Sequence, residues 1–307
     1  MEPRFLTVAE AARYLRLNPR SVYLLAQRGA MPASRATGKW LFPVHLLDEW
    51  LEASARQRGG ERPARGRAAL PAGTLFLAGS DDPALDLLVD ALHGDAGSPL
   101  LFTATLGSVG GLEALARSRA DVACAHLADP ASGEYNVPQV PRYVPECPAV
   151  VVNLFHRELG LVVWTGNPRK LGVVGDLGRR GLRFVNRQAG SGTRIFTDGA
   201  LAAAGVAPKS LVGYREEVST HWGVALRVLR GEADVGVATR AVAAALSLGF
   251  VGLTRERFDL VIPKASFFQP PVQTFVEAIR SERFRRGLER LGGYDWAQTG
   301  RVVGEVA

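Results

Sequence analysis

The residues best suited to chemistry are small and polar, and they recur at one kind of place. Gly190-Ser191-Gly192-Thr193 follows an apolar run, Leu182–Asn186, and precedes a stretch of helical character, Thr193–Ala203. A strand, a glycine turn and a helix start bring free backbone amides and two hydroxyls to a positive helix end, which is a cradle for an anion. Ser80, in Gly79-Ser80-Asp81-Asp82, and Ser108, in Leu106-Gly107-Ser108-Val109-Gly110-Gly111, occupy similar turns. Neutral donors of this type hold a tetrahedral oxyanion without burying an unpaired countercharge. The candidate ligand-binding set is therefore Ser80, Ser108, Gly190, Ser191, Gly192 and Thr193, with Arg187 or Arg194 adding a charge-assisted contact and Arg187 slightly preferred.

Other chemistries find less support. The glycine turn lacks the Lys-Ser/Thr of a Walker loop, and Gly190-Ser191-Gly192 is not a nucleophile elbow, so no catalytic residues are assigned. His45, His93, His126, His156 and His221 show no metal-ligand spacing, and no cofactor fingerprint is present. Cys124 and Cys147 read as buried free thiols.

A second cluster lies near the start. Thr7-Val8-Ala9-Glu10 has the form of a capping box, Asn18-Pro19 starts another helix, and Gly29 ends it. That second helix carries Arg20, Ser21, Tyr23, Gln27 and Arg28 around an apolar Val22/Leu25 side, the pattern of a helix that enters the major groove. Residues 33–42, with Thr37-Gly38 near the middle, read as a hairpin carrying Arg35 and Lys39 to phosphate. Pro43 is expected to open a third helix whose Leu46, Leu47, Trp50 and Leu51 share one face.

Charge supports this partition. The chain of 307 residues has a net charge of +7, and residues 1–70 hold 12 Lys/Arg against 6 Asp/Glu, leaving 25 against 24 for the remainder. A basic excess confined to one small module points to a polyanion as that module's partner. The expected partners are double-stranded DNA and a small anionic ligand, with a homodimer spanning two half-sites. The first residues carry an acid and lead into a capped helix, so the expected compartment is the cytoplasm. No apolar run is long enough to span a membrane.

The elements needed to position these residues fall into three segments. Residues 1–54 form the small all-α module, 55–73 are a linker rich in Arg, Gly, Ala and Pro, and 74–307 form a larger domain. In the larger domain Thr74–Ala78, Leu100–Thr103 and Asp121–His126 read as strands, with helices around Pro83–His93 and Gly110–Arg119 between them. The alternation predicts an α/β fold with a largely parallel sheet and ligands at strand C-terminal ends. Leu115–Val122 and Val228–Val235 echo one another, each leading from a helix into Ala-Asp-Val.

The first segment resembles the excisionase-like branch of the MerR-type winged helix-turn-helix family. The resemblance rests on Thr7-Val8-Ala9-Glu10-Ala11-Ala12, Ser21-Val22-Tyr23, the Arg28-Gly29 exit to Pro32, and Gly38-Lys39-Trp40-Leu41-Phe42-Pro43. Residues 74 to about 295 resemble the periplasmic-binding-protein-like domain fused to such regulators and related to molybdate- and tungstate-binding proteins. Residues 79–88, 106–115, 125–136 and 184–194 carry that likeness. It implies a two-lobed type II fold, with lobe I from about 74–157 plus 258–300 and lobe II from about 158–257. Val150–Leu154 and Asp259–Ile262 would be the crossovers, and Tyr135 and Asn136 would gate the cleft. It also implies a ligand-responsive DNA-binding regulator with molybdate or tungstate as the bound ligand. A molybdenum-cofactor accessory protein or enzyme, and an excisionase-type architectural factor, are the alternatives.

Overall fold

In a computed structural model the described residues are 5–28, 31–35, 38–58, 73–92, 98–129 and 132–306. The chain divides into two compact units, Met1–Ala69 and Leu70–Ala307.

The smaller unit contains β1 (Phe5–Leu6), α1 (Val8–Tyr14), α2 (Pro19–Gln27), β2 (Phe42–Pro43) and α3 (Val44–Arg58). Thr7 Oγ1 accepts from the Glu10 amide while the Glu10 carboxylate accepts from the Thr7 amide at 2.8 Å, so the capping box starts α1 as expected. Asn18 Oδ1 accepts the Arg20 amide at 2.9 Å, and Pro19 takes the first position of α2, where its missing N–H costs nothing. Ala11, Val22, Ala26, Phe42 and Leu47 close the core.

Three expectations need correction here. Pro43 pairs with Phe5 across β1 and β2, so α3 begins at Val44, after the proline has served a strand edge. The helix then runs to Arg58, into the segment read as linker; residues 59–72 lie outside the described residues, as do Gly29 and Thr37. Of the four apolar residues assigned to one face of α3, Leu47 is buried and Trp50 half-buried, whereas Leu46 and Leu51 are exposed. Ser34 and Leu41 exchange both backbone hydrogen bonds, at 2.8 and 2.9 Å, forming a short hairpin with Gly38 at φ +80°.

The larger unit begins with β3 (Leu75–Gly79), α4 (Ala84–Leu92), β4 (Leu101–Thr105), α5 (Gly107–Ala116), β5 (Val122–Ala125) and α6 (Val140–Tyr143). It continues with β6 (Ala149–Val163), β7 (Phe184–Arg187), α7 (Gly192–Ala203), β8 (Glu217–Val218), α8 (His221–Leu229), β9 (Val235–Thr239) and α9 (Arg240–Ala245). It ends with β10 (Gly249–Pro263), α10 (Lys264–Phe267), α11 (Pro270–Arg280), α12 (Glu282–Leu291), β11 (Tyr294–Asp295) and β12 (Val302–Val306).

These strands form one sheet in the order β4-β3-β5-β10-β6-β9-β7-β8, with β11 and β12 also on β6. The sheet is mixed rather than largely parallel. β3, β4 and β5 are parallel at one flank and β7, β8 and β9 at the other, while the 15-residue strands β6 and β10 run antiparallel between them. A short-range alternation of strands and helices reveals the flanks but not the long return strands, because the antiparallel pairing joins residues about 100 apart in sequence.

Each flank has its own cores. Leu77, Leu88, Phe155, Phe258, Phe275 and Leu288 pack in the first half, and Leu159, Leu161, Phe184, Leu201 and Val237 in the second. The segments read as crossovers, Val150–Leu154 and Asp259–Ile262, belong to the first-half ends of β6 and β10 and pair with each other. The chain's return to the first half also reaches past residue 300, since β12 pairs with β6. Both Ala-Asp-Val echoes lead into strands, β5 and β9.

Candidate functional site

The loops leaving β3, β4, β7 and β8 all feed helix starts, α4, α5, α7 and α8, and these starts meet where the two halves of the sheet approach. The first-turn amides of a helix have no intrahelical acceptor, so this junction concentrates partial positive charge. Direct contacts join the halves there. Val109 N donates to Gly190 O at 3.2 Å, and the His221 amide donates to Asp81 Oδ2 at 2.7 Å. A Cβ on Gly192 would stand 2.6 Å from His126 Cε1 and 2.8 Å from its carbonyl oxygen, so the helix can approach only because residue 192 has no side chain. On the first-half side Gly111 of α5 lies against Gly79 in the same way. The helical start at Gly107, earlier than the expected Gly110, places Ser108 inside the first turn.

The first half carries a buried ion network. Arg157, within the apolar β6, donates to Asp82 Oδ2 at 2.6 Å, to Glu256 Oε1 at 2.7 Å and to the Asp81 carbonyl at 3.1 Å. Glu256 stands directly opposite Arg157 in the β6–β10 register. It also meets His126 Nδ1 at 2.9 Å, and His126 Nε2 meets Ser80 Oγ at 2.7 Å. Asp82 further accepts from the Tyr294 hydroxyl at 2.7 Å and from the Ala84 amide, capping α4. The Arg157 guanidinium lies 4.6 Å over the Phe258 ring.

Burial opposes ionisation of Glu256, but His126 and Arg157 beside it hold its carboxyl down to about 2. Burial lowers Arg157 in turn, yet Glu256 and Asp82 raise it above its ordinary value. Burial, above all, lowers His126, although Glu256 opposes it. Removing a charge from water is tolerable only when it is paired and hydrogen-bonded in this way.

The second half is different. Arg187 at the end of β7 is 1% exposed; its Nη2 donates to the Ser219 carbonyl at 2.9 Å, and its Nη1 has no partner. Burial pushes this guanidinium down to about 10 although Asp81 counters the effect. Thr193 Oγ1 in the first turn of α7, both ring nitrogens of His221 in the first turn of α8, and Thr239 Oγ1 at the end of β9 are also buried without partners. A buried donor left unmatched costs about 1–3 kcal/mol. These groups have the chemistry of an anion cradle: a guanidinium, two hydroxyls, an imidazole and two helix starts.

The structure thus distributes the predicted ligand residues unequally. Gly190, Ser191, Gly192, Thr193 and Arg187 come together with Ser108 at the junction. Ser191 Oγ caps α7 by accepting the Arg194 amide at 3.2 Å. Ser80 is engaged by His126, and Ser108 Oγ accepts the His126 amide at 3.3 Å. Arg194 turns away: it pairs with Asp198 at 2.9 Å and Glu217 at 2.7 Å and lies 4.4 Å over the Tyr214 ring, which leaves it occupied. Asn136 is fully buried and bonds the Leu127 amide, the Ala125 carbonyl and Asp259, so it braces the first half. Tyr135 is half-buried; burial and then Glu256 push its hydroxyl up to about 12.

Sequence reasoning missed Arg157, Glu256, Asp82 and His221. Arg157 did leave a signal, as a charge in the middle of the mostly buried, largely apolar β6, whereas Glu256 lies among Arg255, Arg257 and Asp259 in a part of β10 that is only partly buried. Among the described residues no group of His, Cys, Asp and Glu is arranged to hold a metal ion. Cys124 is a buried free thiol, whereas Cys147 is free but only half-buried.

In the smaller unit Arg20, Ser21, Tyr23, Gln27 and Arg28 are all exposed on and just beyond α2, as are Arg35 and Lys39 around the hairpin. Arg35 lies 5.7 Å over the Trp40 ring, which orients it. These side chains form a basic, polar surface on a small core.

Comparison with known proteins places both units. The chain belongs to the family of the PBP superfamily domain, which matches residues 89–280. Ahead of it a helix-turn-helix domain matches residues 5–55. YvgK, an uncharacterized protein of Bacillus subtilis (strain 168), is 30% identical over 305 residues, covering 98% of each chain. An uncharacterized protein in the ferredoxin 2Fe-2S gene 5′ region of Clostridium pasteurianum is 34% identical over 113 residues, which is 36% of this chain and 100% of that one.

Solved structures agree on the fold of the larger unit. A Clostridium perfringens protein assigned as a phosphate ABC transporter substrate-binding protein, with bound phosphate, aligns over 71% of this chain and 97% of its own, with TM-score 0.54 and 15% identity. The sulfate-binding protein SubI from Mycobacterium tuberculosis H37Rv aligns over 72% and 86%, with TM-score 0.52 and 15% identity. The expected partition into a helix-turn-helix domain and a binding-protein-type domain is therefore correct. No helix among the described residues is long and apolar enough to cross a membrane.

Proposed function

We propose that this chain is a cytoplasmic, ligand-responsive DNA-binding transcriptional regulator whose larger unit takes a tetrahedral oxyanion, molybdate or tungstate being the first candidates. The observation that carries the reading is the buried Arg187 with an unpartnered Nη1, beside Thr193 and His221 whose polar atoms are also unmatched. The two halves act as the lobes of a type II binding protein, with Arg187, Ser191 and Thr193 holding the anion against the helix starts. An anion that binds the closed arrangement better than the open one shifts the population toward it. The solved proteins similar in fold bind phosphate and sulfate, which have the same tetrahedral shape.

The smaller unit acts as a winged helix-turn-helix of the MerR-like, excisionase-related type. Arg20, Ser21, Tyr23, Gln27 and Arg28 face the major groove, and the Ser34–Leu41 hairpin is the wing that carries Arg35 and Lys39 to phosphate. Two copies bind successive half-sites, so the working form is a homodimer.

Calorimetry with molybdate, tungstate, sulfate and phosphate tests the reading. At least one of these anions should bind the full chain, and Arg187→Met should weaken it ~10–100-fold, the value of one or two charge-assisted hydrogen bonds. Heat from none of the four, or unchanged affinity in Arg187→Met, removes the oxyanion site.

A further inference from the structure

His221 begins α8 at the junction between the halves and is fully buried. Its backbone amide donates to Asp81 Oδ2 at 2.7 Å, which fixes the start of the helix against the first half. Two residues earlier the Ser219 carbonyl accepts from Arg187 Nη2 at 2.9 Å, which ties the same loop to the buried guanidinium. Neither ring nitrogen has a hydrogen-bond partner. The charged and titratable groups around the ring are Arg187 from the end of β7, Arg157 from β6, His126 beyond β5 and Asp81 beyond β3.

We propose that His221 is the specificity-determining contact of this site, an imidazole that meets the bound oxyanion directly and sorts oxyanions by whether they carry a proton. The inference rests on the oxyanion reading above. A neutral imidazole offers one N–H and one bare nitrogen that accepts. Hydrogen phosphate answers both, with an unprotonated oxygen for the N–H and its own O–H for the bare nitrogen. Sulfate, molybdate and tungstate at neutral pH have no O–H to give. With them the bare nitrogen faces an oxygen lone pair unless the ring takes a proton from solvent and becomes a double donor.

The free protein keeps the ring neutral: burial first, then Arg187, Arg157 and His126, hold it well below its ordinary value of 6.5. A dianion at the same spot reverses the local field and favours the imidazolium. Proton-free oxyanions therefore bind with proton uptake at His221, and hydrogen phosphate binds without it.

The test is calorimetry of the full chain at about pH 8, where phosphate is hydrogen phosphate and an ordinary histidine is neutral, in two buffers of different ionisation enthalpy. Sulfate and molybdate should each take up toward ~1 proton per site, and their affinity should fall toward ~10-fold per unit of rising pH. Phosphate should take up close to none. His221→Gln, which keeps a donor and cannot titrate, should erase the difference in proton count. Equal counts for the two kinds of anion, or a count unaltered by His221→Gln, overturns the proposal while leaving the oxyanion site standing. Should the variant fail to fold, ring NMR of the native chain decides. Sulfate must move one of its five histidines to the protonated position, and no such movement overturns the proposal. Absence of heat from every anion instead sinks the oxyanion reading itself, and this inference with it.

Discussion

The two halves of the larger unit bring polar side chains to the same junction in opposite conditions. In the first half Ser80, Asp82, Ser108, His126, Arg157 and Glu256 are all buried and all matched with one another or with backbone. In the second half Arg187, Thr193, His221 and Thr239 are buried to a similar degree, yet each holds an unmatched polar atom. The contrast separates two uses of buried polarity. The first half consumes its charges in positioning β3, β6 and β10, whereas the second half holds donors in reserve.

The largest effect that tests this contrast comes from Arg157→Met. It leaves Asp82 and Glu256 buried without their cation, so denaturant unfolding should show a loss of about 3–5 kcal/mol. A loss below about 1 kcal/mol would mean that the network does not hold the first half together. Arg187→Met, which removes a guanidinium with no carboxylate of its own, should cost far less stability than Arg157→Met.

Acid provides the next test. Glu256 has its carboxyl depressed to about 2, so its stabilising contribution is complete above the ordinary 4.5 and is lost as pH falls from there toward about 2. Burial lowers His126 in the folded chain, so its contribution is present above 6.5 and declines as pH drops below that value. Scanning calorimetry should show a thermal midpoint level near neutrality that falls first below 6.5 and again below 4.5. Glu256→Gln should shrink the lower step, to which the likewise lowered Asp176 and Asp234 also contribute, and a profile unchanged by it would break the assignment.

Gly192→Ala probes the seam itself. The added methyl meets His126 ring and backbone atoms at 2.6–2.8 Å, and overpacking of this kind costs about 1–3 kcal/mol. The expected result is weaker anion binding with both halves still folded, read by calorimetry and circular dichroism.

The other unit offers a separate test, where the side chains in question are exposed. Arg20→Ala should cost about 1–3 kcal/mol on the cognate operator and little on unrelated DNA, whereas Lys39→Ala should weaken all DNA alike and reduce the salt slope by about 1. Equal losses on every sequence from Arg20→Ala would remove it from base reading.

What could be read from the sequence follows the reach of the interactions involved. Thr7 and Glu10, Asn18 and Pro19, and Ser191 at the start of α7 act within three residues of themselves, so local pattern was sufficient for α1 and α2 of the smaller unit and for one wall of the site. Arg157 and Glu256 are 99 residues apart and become partners only through the β6–β10 register. His221 gives no local sign at all; its role depends on Asp81, 140 residues earlier. Pro43 misled because the same ring that suits the first position of a helix also suits the end of an edge strand. Arg194, adjacent to the cradle, looked only slightly less promising than Arg187, and the positions of Asp198, Glu217 and Tyr214 direct it elsewhere.

The strands β6 and β10 remain paired from Ala149–Pro263 at one end to Val163–Gly249 at the other, with irregularities in register between Gly252 and Thr254 and between Phe258 and Asp259. A ladder continuous through both halves is a torsion spring rather than a latch. If the junction opens as the proposed function requires, the two irregular places that bracket Glu256 are where the ladder can take up twist with the hydrogen bonds on either side still closed. The Arg157–Glu256 pair lies between those two irregularities, so a twist concentrated there would turn about that contact.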